Sequence, residues 1–502
     1  MKLGTVISTM DGPSTTSFDF VVTKKDNVLK GQFVSVQTRE GTIIARVDEI
    51  IKTNRYLERP DAVGEYEKEG VSMTDIFPTK RWEFLVARTE ILGVSSEDMI
   101  NRSKYPPSPG AEVTPAEEDV VIKFLSLDLE NGLDIGTLEY QDIPAKINLT
   151  RLFQKHVAIL AMSGAGKSYL TTVLFEELMD RTDKDGQVAI VVLDPHGEYS
   201  SLADDRKYLK KVKVIKGKDI QISIQNFTAG SFERFFESLS PAQSLALDKT
   251  LNNLRKEFKD SGKFDLEDLI KALKADSALR SNVKDPILGR LSGLKNMRLF
   301  GKFDYPTLND VKPGNLVIVD MSALMNQRKR QVIAASVAEN LFSERQKGNI
   351  PPFVLVVEEA HNFAPEKVKK TGAISKSIIE KIAREGRKFY ASLCLVSQRP
   401  VYLSTTALSQ CNTHIIMRVT NPSDLDHIGR TSEGLTRDVV NSIASLRTGE
   451  AVIVGEAVGY PTFIKVRKRK SDEPAHSRTL EQAAVEYSEK KEQYDKDLDA
   501  FL

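Results

Sequence analysis

The chain has 502 residues, which is enough for two or three domains and a large hydrophobic core. Its 71 lysines and arginines are balanced by 70 aspartates and glutamates, so net charge gives no indication of nucleic-acid binding and any basic surface must be local. The two cysteines do not favour a disulfide framework, and neither a signal peptide nor a membrane-spanning run is predicted. We therefore expect a cytoplasmic protein with no membrane association.

Residues 1–95 are predicted to form a small N-terminal β-barrel. Their strand-like segments are rich in Val, Ile, Thr and Phe and are separated by turn pairs such as Glu40-Gly41. The segments are 18–22, 32–37, 42–49 and 82–92. Several short strands at hairpin spacing are typical of a barrel. No catalytic constellation lies in this part, which favours a docking or oligomerisation module.

Residues 96–150 are predicted to be a linker and lead-in strands. The stretch 104–118 holds four prolines, a composition typical of a connecting segment. Residues 120–127 are predicted to form a strand because they are largely apolar and β-branched. Residues 131–150 then lead into the next apolar strand.

A P-loop is predicted at residues 157–170. The apolar run 157–160 precedes a turn of small residues, and a helical pattern follows. In such a loop backbone N–H groups surround the phosphates of a nucleotide, the lysine reaches the β- and γ-phosphates, and the next hydroxyl binds Mg²⁺. Ala161 replaces the usual opening glycine and can hold the turn if its φ is negative. The predicted ligands of ATP are Ser163, Gly164, Ala165, Gly166, Lys167, Ser168 and Tyr169, with Ser168 also at Mg²⁺.

Residues 151–470 are predicted to form an α/β core around a mostly parallel sheet. Apolar strand segments alternate with helical patterns; they are 188–193, 316–319, 353–357, 392–396, 414–419 and 451–454. Residues 229–298 interrupt this order with apolar residues three and four apart, which predicts a helical insertion. The charged tail, 471–502, is predicted to be an arm to a neighbouring subunit or a solvated helix.

The strand at 353–357 ends in two carboxylates, Glu358 and Glu359. In a P-loop enzyme one acid holds the water shell of Mg²⁺ and the next polarises the attacking water. We assign Glu358 to the metal, through water, and Glu359 to the catalytic base. The chain has no guanine-reading NKxD sequence, which favours ATP over GTP.

Three further polar positions follow other core strands. Asp194 and Glu198 come after the strand at 188–193 and would either support Mg²⁺ or water, or cap the next turn. Gln398 closes the strand at 392–396, where a polar side chain can sense the γ-phosphate.

Arg384 and Arg387 lie at the end of a predicted helix and are candidates for an arginine supplied to a neighbouring subunit. Such an arginine neutralises charge on the transferring phosphoryl group. It also requires a head-to-tail interface, which closes into a ring. The alternative is that both arginines pair with Glu380 or Glu385 on their own helix.

A lysine-rich segment follows the paired glutamates and is a candidate DNA contact. Its lysines are Lys367, Lys369, Lys370 and Lys376. Lysines bind nucleic-acid phosphates without reading sequence. The alternative interpretation is an ordinary solvated loop.

Taken together, five motifs resemble those of the archaeal HerA family of DNA translocases, which is related to the FtsK pumps. The motifs are ILAMSGAGKSYL at 159–170, VVLDPHGEY at 191–199, LVVEEAHNF at 355–363, IAREGRKF at 382–389 and LVSQRP at 395–400. The resemblance implies a HAS-barrel, a RecA-like core and a homo-hexameric ring that threads duplex DNA. It also implies joint action with a NurA-type nuclease in resecting DNA ends during double-strand break repair, and it agrees with the roles given to Lys167, Ser168, Glu359 and the 384–387 arginines. Two alternatives stay open: a protein-translocating ATPase of the type IV secretion kind, and a nucleotide-gated scaffold.

Overall fold

The computed structural model of the chain divides into two compact units. The first unit comprises residues 1–166 and 411–467, and the second comprises 167–410 and the residues from 468 onward. The structure describes residues 1–8, 12–23, 28–54, 57, 64, 68, 82–96, 99–236, 239–259, 262–367, 373–432, 434–472, 481–482, 484–489 and 491.

The predicted N-terminal barrel is present and is antiparallel. Its strands are β1 (Gly4–Ile7), β2 (Ser17–Val22), β3 (Phe33–Thr38), β4 (Gly41–Asn54), β5 (Glu83–Ser96), β6 (Met99–Asn101) and β7 (Glu112–Pro115). The order β2-β1-β7-β3-β4-β5-β6 is closed by pairing of β2 with β5. Alternate residues point inward, so that Phe18, Phe20 and Val22 are buried in one continuous core. The barrel takes β7 from the proline-rich segment, beyond the predicted boundary at residue 95.

The remaining elements follow in chain order. They are α1 (Glu118–Leu125), β8 (Leu133–Leu138), β9 (Pro144–Ile147), α2 (Leu149–Phe153), β10 (Val157–Leu160), α3 (Lys167–Asp180), β11 (Ala189–Asp194), β12 (Val212–Lys216), β13 (Ile222–Ser223), α4 (Ala229–Glu233), α5 (Pro241–Glu257), α6 (Leu266–Ala275), α7 (Ser281–Lys295), β14 (Phe300–Gly301), β15 (Leu316–Asp320), α8 (Gln327–Gln346), β16 (Phe353–Val357), α9 (Lys376–Glu385), β17 (Ala391–Ser397), α10 (Thr405–Leu408), β18 (Thr413–Met417), α11 (Pro422–Thr431), α12 (Arg437–Ile443), β19 (Glu450–Gly455) and β20 (Thr462–Val466).

One predicted strand is a helix. Residues 120–127 lie mostly in α1, which carries Glu118 and Asp119 in its first turn and ends at Ser126 in the left-handed conformation. Val121 and Leu125, four residues apart, are its buried side chains. That spacing is one face of a helix, so burial of this face overrides the β-branched composition that predicted a strand.

The first unit also contains a mixed set of strands. β10 pairs with β18 in parallel, whereas β18, β19, β20, β8 and β9 pair successively in antiparallel fashion. β10 and β18 are buried along their whole length, as expected of strands covered on both faces.

The second unit is built on five parallel strands in the order β12-β15-β11-β16-β17. All residues of β11, β15, β16 and β17 are buried. Since parallel strands end at the same edge, the chain leaves the sheet there at Asp194, Asp320, Glu358 and Ser397. This edge carries the polar residues described below, and the predicted α/β class with a mostly parallel sheet is confirmed.

Helices α4 to α7 lie within the segment predicted as a helical insertion. α6 shows the pattern most clearly: its buried residues Leu266, Leu269, Ile270 and Leu273 repeat at three and four. Asp265 caps its N-terminus in a reciprocal arrangement with Asp268. Within the described ranges, no helix combines the length and the apolar character that a bilayer span requires.

A short segment at the boundary between the predicted core and the predicted tail is held against α3. The carboxylate of Glu176, which is fully buried, accepts the backbone N–H of Lys470 at 2.8 Å and that of Ser471 at 2.8 Å. The hydroxyl of Ser471 also donates to it at 2.6 Å. The N–H of Arg469 donates to the phenol oxygen of Tyr169 at 2.8 Å. These bonds satisfy a buried charge in the helix that follows the P-loop.

Candidate functional site

The P-loop has the backbone geometry that its sequence predicts. Gly164 and Gly166 have φ values of +77° and +104°, which L-residues with side chains rarely adopt. Ala161 does not have a positive φ, so it holds the turn without strain. Ser163 and Gly164 are exposed, and α3 begins directly after the loop at Lys167. The loop thus presents backbone N–H groups at a helix N-terminus.

Lys167 is buried and pairs with both predicted carboxylates. Its ammonium group donates to Oε1 of Glu358 and, at 2.9 Å, to Oε1 of Glu359. The Lys167 side chain is only 8% exposed, so a single positive charge lies between two acids away from water. Burial alone would lower the pKa of Lys167, but the two carboxylates outweigh it and the pKa is raised. Lys167 therefore stays protonated.

Glu358 is the more constrained of the two acids. It is fully buried, and its Oε2 accepts a 2.8 Å hydrogen bond from the hydroxyl of Tyr199. Burial raises the pKa of the Glu358 carboxyl to about 7, against the opposing effects of Lys167 and Tyr199, and nearby Glu198 adds to the rise. Both oxygens of Glu358 are thus occupied by protein groups.

Glu359 differs because one of its oxygens has room for a further partner. Its backbone is left-handed, with φ 50° and ψ 49°, at the start of the 3₁₀ turn Ala360–Asn362. Among the described residues, its buried Oε2 has no hydrogen-bond partner, although Nδ1 of His361 lies 3.3 Å away. A non-glycine residue in this conformation often marks a functional position. The carboxylate can therefore accept a proton from another group.

Asp194 and Glu198 have different surroundings. Asp194 is buried and accepts backbone N–H groups from His196 at 3.1 Å, Gly197 at 2.7 Å and Tyr199 at 3.1 Å. This is the turn-capping geometry of the alternative interpretation. Glu198 instead accepts a hydrogen bond from the hydroxyl of Ser168. The hydroxyl predicted to bind Mg²⁺ therefore has a carboxylate beside it.

Comparison with known proteins shows which proteins the chain resembles. Residues 133–341 match the family model described as "Helicase HerA, central domain". The DNA double-strand break repair helicase HerA of Pyrococcus furiosus is 28% identical, and the match covers 90% of each chain. The protein of the same name from Sulfolobus acidocaldarius is 29% identical over 77% of this chain and 78% of its own. Residues 133–341 are therefore similar to the HerA central domain, and most of the chain is similar to HerA helicases.

The fold of the chain is also similar to that of a solved structure. VirB4 of Thermoanaerobacter pseudethanolicus superimposes with a TM-score of 0.52 at 16% identity, over 68% of this chain and 98% of that one. At this identity the likeness shows the fold alone.

The other predicted site residues are only partly brought together. Gln398 directly follows β17 and is half-buried at the sheet edge. Arg384 and Arg387 are exposed on and after α9, and Arg384 lies 3.9 Å from Glu380 of its own helix. That distance is a weak ion pair, so the alternative interpretation of Arg384 has limited support.

The lysine-rich segment is described only at its ends. Lys367 is exposed, whereas Nζ of Lys376 donates to the carbonyl of Glu366 at 3.1 Å and lies 3.7 Å from Glu380. Lys369 and Lys370 lie outside the described residues.

Three residues at this site were not predicted from the sequence. Tyr199 reaches Glu358, His361 lies beside Glu359, and Ser397 lies 3.1 Å from Nδ1 of His361. All three belong to motifs named above: His361 to LVVEEAHNF, Tyr199 to VVLDPHGEY and Ser397 to LVSQRP. His361 is two residues from the predicted base, which was an available signal. The contacts of Tyr199 and Ser397 could not be predicted from the motifs, because their partners lie 159 and 36 residues away along the chain.

The raised pKa of Glu358 predicts a pH-dependent stability. Because its pKa rises from 4.5 in the unfolded chain to about 7 when folded, its contribution is fully present below pH 4.5 and is lost as pH rises through 7. Glu358→Gln has no carboxyl to ionise, so the variant should not lose this stability as pH rises. We therefore expect the difference in melting temperature, variant minus parent, to increase from pH 5 to pH 8. Melting curves over this range test the expectation.

Glu267→Gln is the matched control for this experiment. Its carboxylate is 52% exposed and pairs with Lys295 at 3.1 Å on α7, so its replacement should leave the pH profile of the parent unchanged. A Glu358→Gln profile parallel to the parent would show that Glu358 is ionised throughout this pH range.

Proposed function

We propose that this protein is an ATP-driven motor that moves duplex DNA. The observation that carries the proposal is the buried contact of Lys167 with Glu358 and Glu359, which places a P-loop lysine against the two acids needed for hydrolysis. The HerA relatives of Pyrococcus furiosus and Sulfolobus acidocaldarius are named as DNA double-strand break repair helicases, which supports DNA as the cargo and repair as the setting.

The residues of the P-loop fit ATP and Mg²⁺. The backbone from Ser163 to Gly166 and the side chain of Lys167 would hold the phosphates, and Tyr169 would flank them. Ser168, with Glu198 beside it, would bind Mg²⁺. When bound, ATP with Mg²⁺ supplies the phosphoryl group for transfer to water.

The geometry supports different roles for the two glutamates. Both oxygens of Glu358 are already engaged, by Lys167 and Tyr199, which suits a structural acid that contacts the metal through its water shell. Glu359 retains an oxygen without a hydrogen-bond partner among the described residues, which suits a base that accepts a proton from the attacking water. Gln398, at the end of the neighbouring strand, would sense the γ-phosphate.

We place Arg384 or Arg387 at the active site of a neighbouring copy. Both side chains are exposed, as required of a group that acts on another subunit. A head-to-tail contact of this kind closes into a ring, for which six copies is the number implied by the family resemblance. A NurA-type nuclease docked through the ring and barrel would then act with the motor in end resection.

Glu359→Gln tests the assignment of the base. The amide cannot accept the proton, so phosphate release should fall by on the order of 100-fold or more, the usual contribution of a general base. Binding of a fluorescent ATP analogue should persist, whereas Lys167→Ala should abolish that binding. Glu267→Gln serves as the control, and a Glu359→Gln protein with parental turnover would remove Glu359 from this role.

A second test concerns DNA as the cargo. Phosphate release should rise when linear duplex DNA is added at low salt. The logarithm of the DNA association constant should fall linearly with the logarithm of the salt concentration, with a slope of about −0.9 for each phosphate contacted. Replacing Lys369 and Lys370 by alanine should reduce that slope by about two if both contact phosphates.

Lys271→Ala on α6 is the control for this test, because that lysine is 74% exposed and lies in the helical insertion. If DNA did not change the rate of phosphate release from ATP, and no salt-dependent DNA binding were found, a protein-translocating ATPase would be favoured. Saturable nucleotide binding with no phosphate release would favour a nucleotide-gated scaffold.

A further inference from the structure

His361 lies between the proposed catalytic base and the end of β17. Its Nδ1 is 3.3 Å from Oε2 of Glu359 and 3.1 Å from Oγ of Ser397. All three groups are shielded from water: Glu359 and Ser397 are buried, and the His361 side chain is 15% exposed. One ring nitrogen therefore faces both a carboxylate and a hydroxyl.

The surroundings determine the charge and tautomer of this ring. Burial lowers the pKa of His361; Glu359 opposes this effect, whereas Lys167, Arg399 and His196 add to it. A neutral imidazole carries one N–H. If Nδ1 lacked the proton, its lone pair would face the Glu359 carboxylate, so the arrangement favours the tautomer with the proton on Nδ1.

Ser397 is fixed in place by the backbone. It is the last residue of β17 and is fully buried, and its hydroxyl oxygen accepts the N–H of Arg399 at 3.1 Å. The residue between them is Gln398, the proposed γ-phosphate sensor. His361 is thus held by a rigid strand end and not by a flexible side chain.

From this geometry we infer that His361 is a positioning residue, which orients the carboxylate of Glu359 and links it to Ser397 beside Gln398. The inference rests on the proposed function, in which Lys167 binds the phosphates of ATP and no longer donates a hydrogen bond to Oε1 of Glu359. The Nδ1–H group of His361, which lies beside Oε2, would then orient the carboxylate toward the attacking water. A change at the end of β17 would be passed to the base through the same ring.

The experiment compares three substitutions of His361 in the full chain. His361→Ala removes the N–H and should lower kcat by about tenfold or more, the cost typical of losing an orienting hydrogen bond beside a reactive group. The Kd for a fluorescent ATP analogue should not change, because Lys167 and the P-loop are untouched. His361→Asn places an amide N–H near the position of Nδ1–H and should restore kcat, whereas the longer His361→Gln should not.

A second comparison excludes a merely structural role. In the Glu359→Gln background the base is already lost, so adding His361→Ala should cause no further loss of single-turnover rate. Ser397→Ala should lower kcat in the parent and have no added effect in His361→Ala. An additive loss in either double variant, parental kcat in His361→Ala, or equal rates for the Asn and Gln variants would overturn the inference.

Different results would contradict the proposed function and the positioning role of His361. If the parent released no phosphate, or if Glu359→Gln were fully active, the proposed function itself would be wrong. If the parent were active and Glu359→Gln inactive while His361→Ala behaved like the parent, only the positioning role would be wrong. Should His361→Ala fail to fold, the Asn and Gln variants decide the question by themselves.

Discussion

A buried ammonium group with two carboxylates is the interaction on which the second unit depends. Lys167 begins α3, and Glu358 and Glu359 follow β16, so the ion pairs fix the start of a helix against the end of a strand. Removing Lys167 would leave two carboxylates without a positive partner in a site shielded from water, which is costly. In the proposed function, the phosphates of ATP would take the place of these carboxylates at Lys167.

The parallel sheet gives its acidic strand ends different tasks. Asp194 caps the turn after β11, and Asp320 accepts from the N–H and hydroxyl of Ser322 at 2.9 and 2.6 Å while pairing with Lys216 at 2.7 Å. Glu358 is occupied by Lys167 and Tyr199. Among the described residues of this edge, Glu359 is the acid that combines burial, a left-handed backbone and an oxygen without a hydrogen-bond partner.

Local pattern predicted the elements whose burial follows a simple period. The fully buried strands β11, β15, β16 and β17 appear in the sequence as unbroken apolar runs, and α6 as residues three and four apart. Prediction from local pattern failed where contacts with distant residues determine the secondary structure. Residues 120–127 have strand composition but bury a helical face, and β7 lies in a proline-rich stretch that becomes a strand by pairing with β1 and β3.

The sequence by itself determined the chemistry available: a small-residue turn before Lys167 and Ser168, paired glutamates after an apolar strand, and motifs that resemble those of the HerA family. These features are local, since neighbouring residues specify a loop, a strand or a helix end. The tertiary structure alone decided which acid is engaged, which caps a turn and which keeps an oxygen without a hydrogen-bond partner among the described residues. The reason is that Lys167, Tyr199, His361 and Ser397 meet the glutamates only after strands distant in the chain align at one edge.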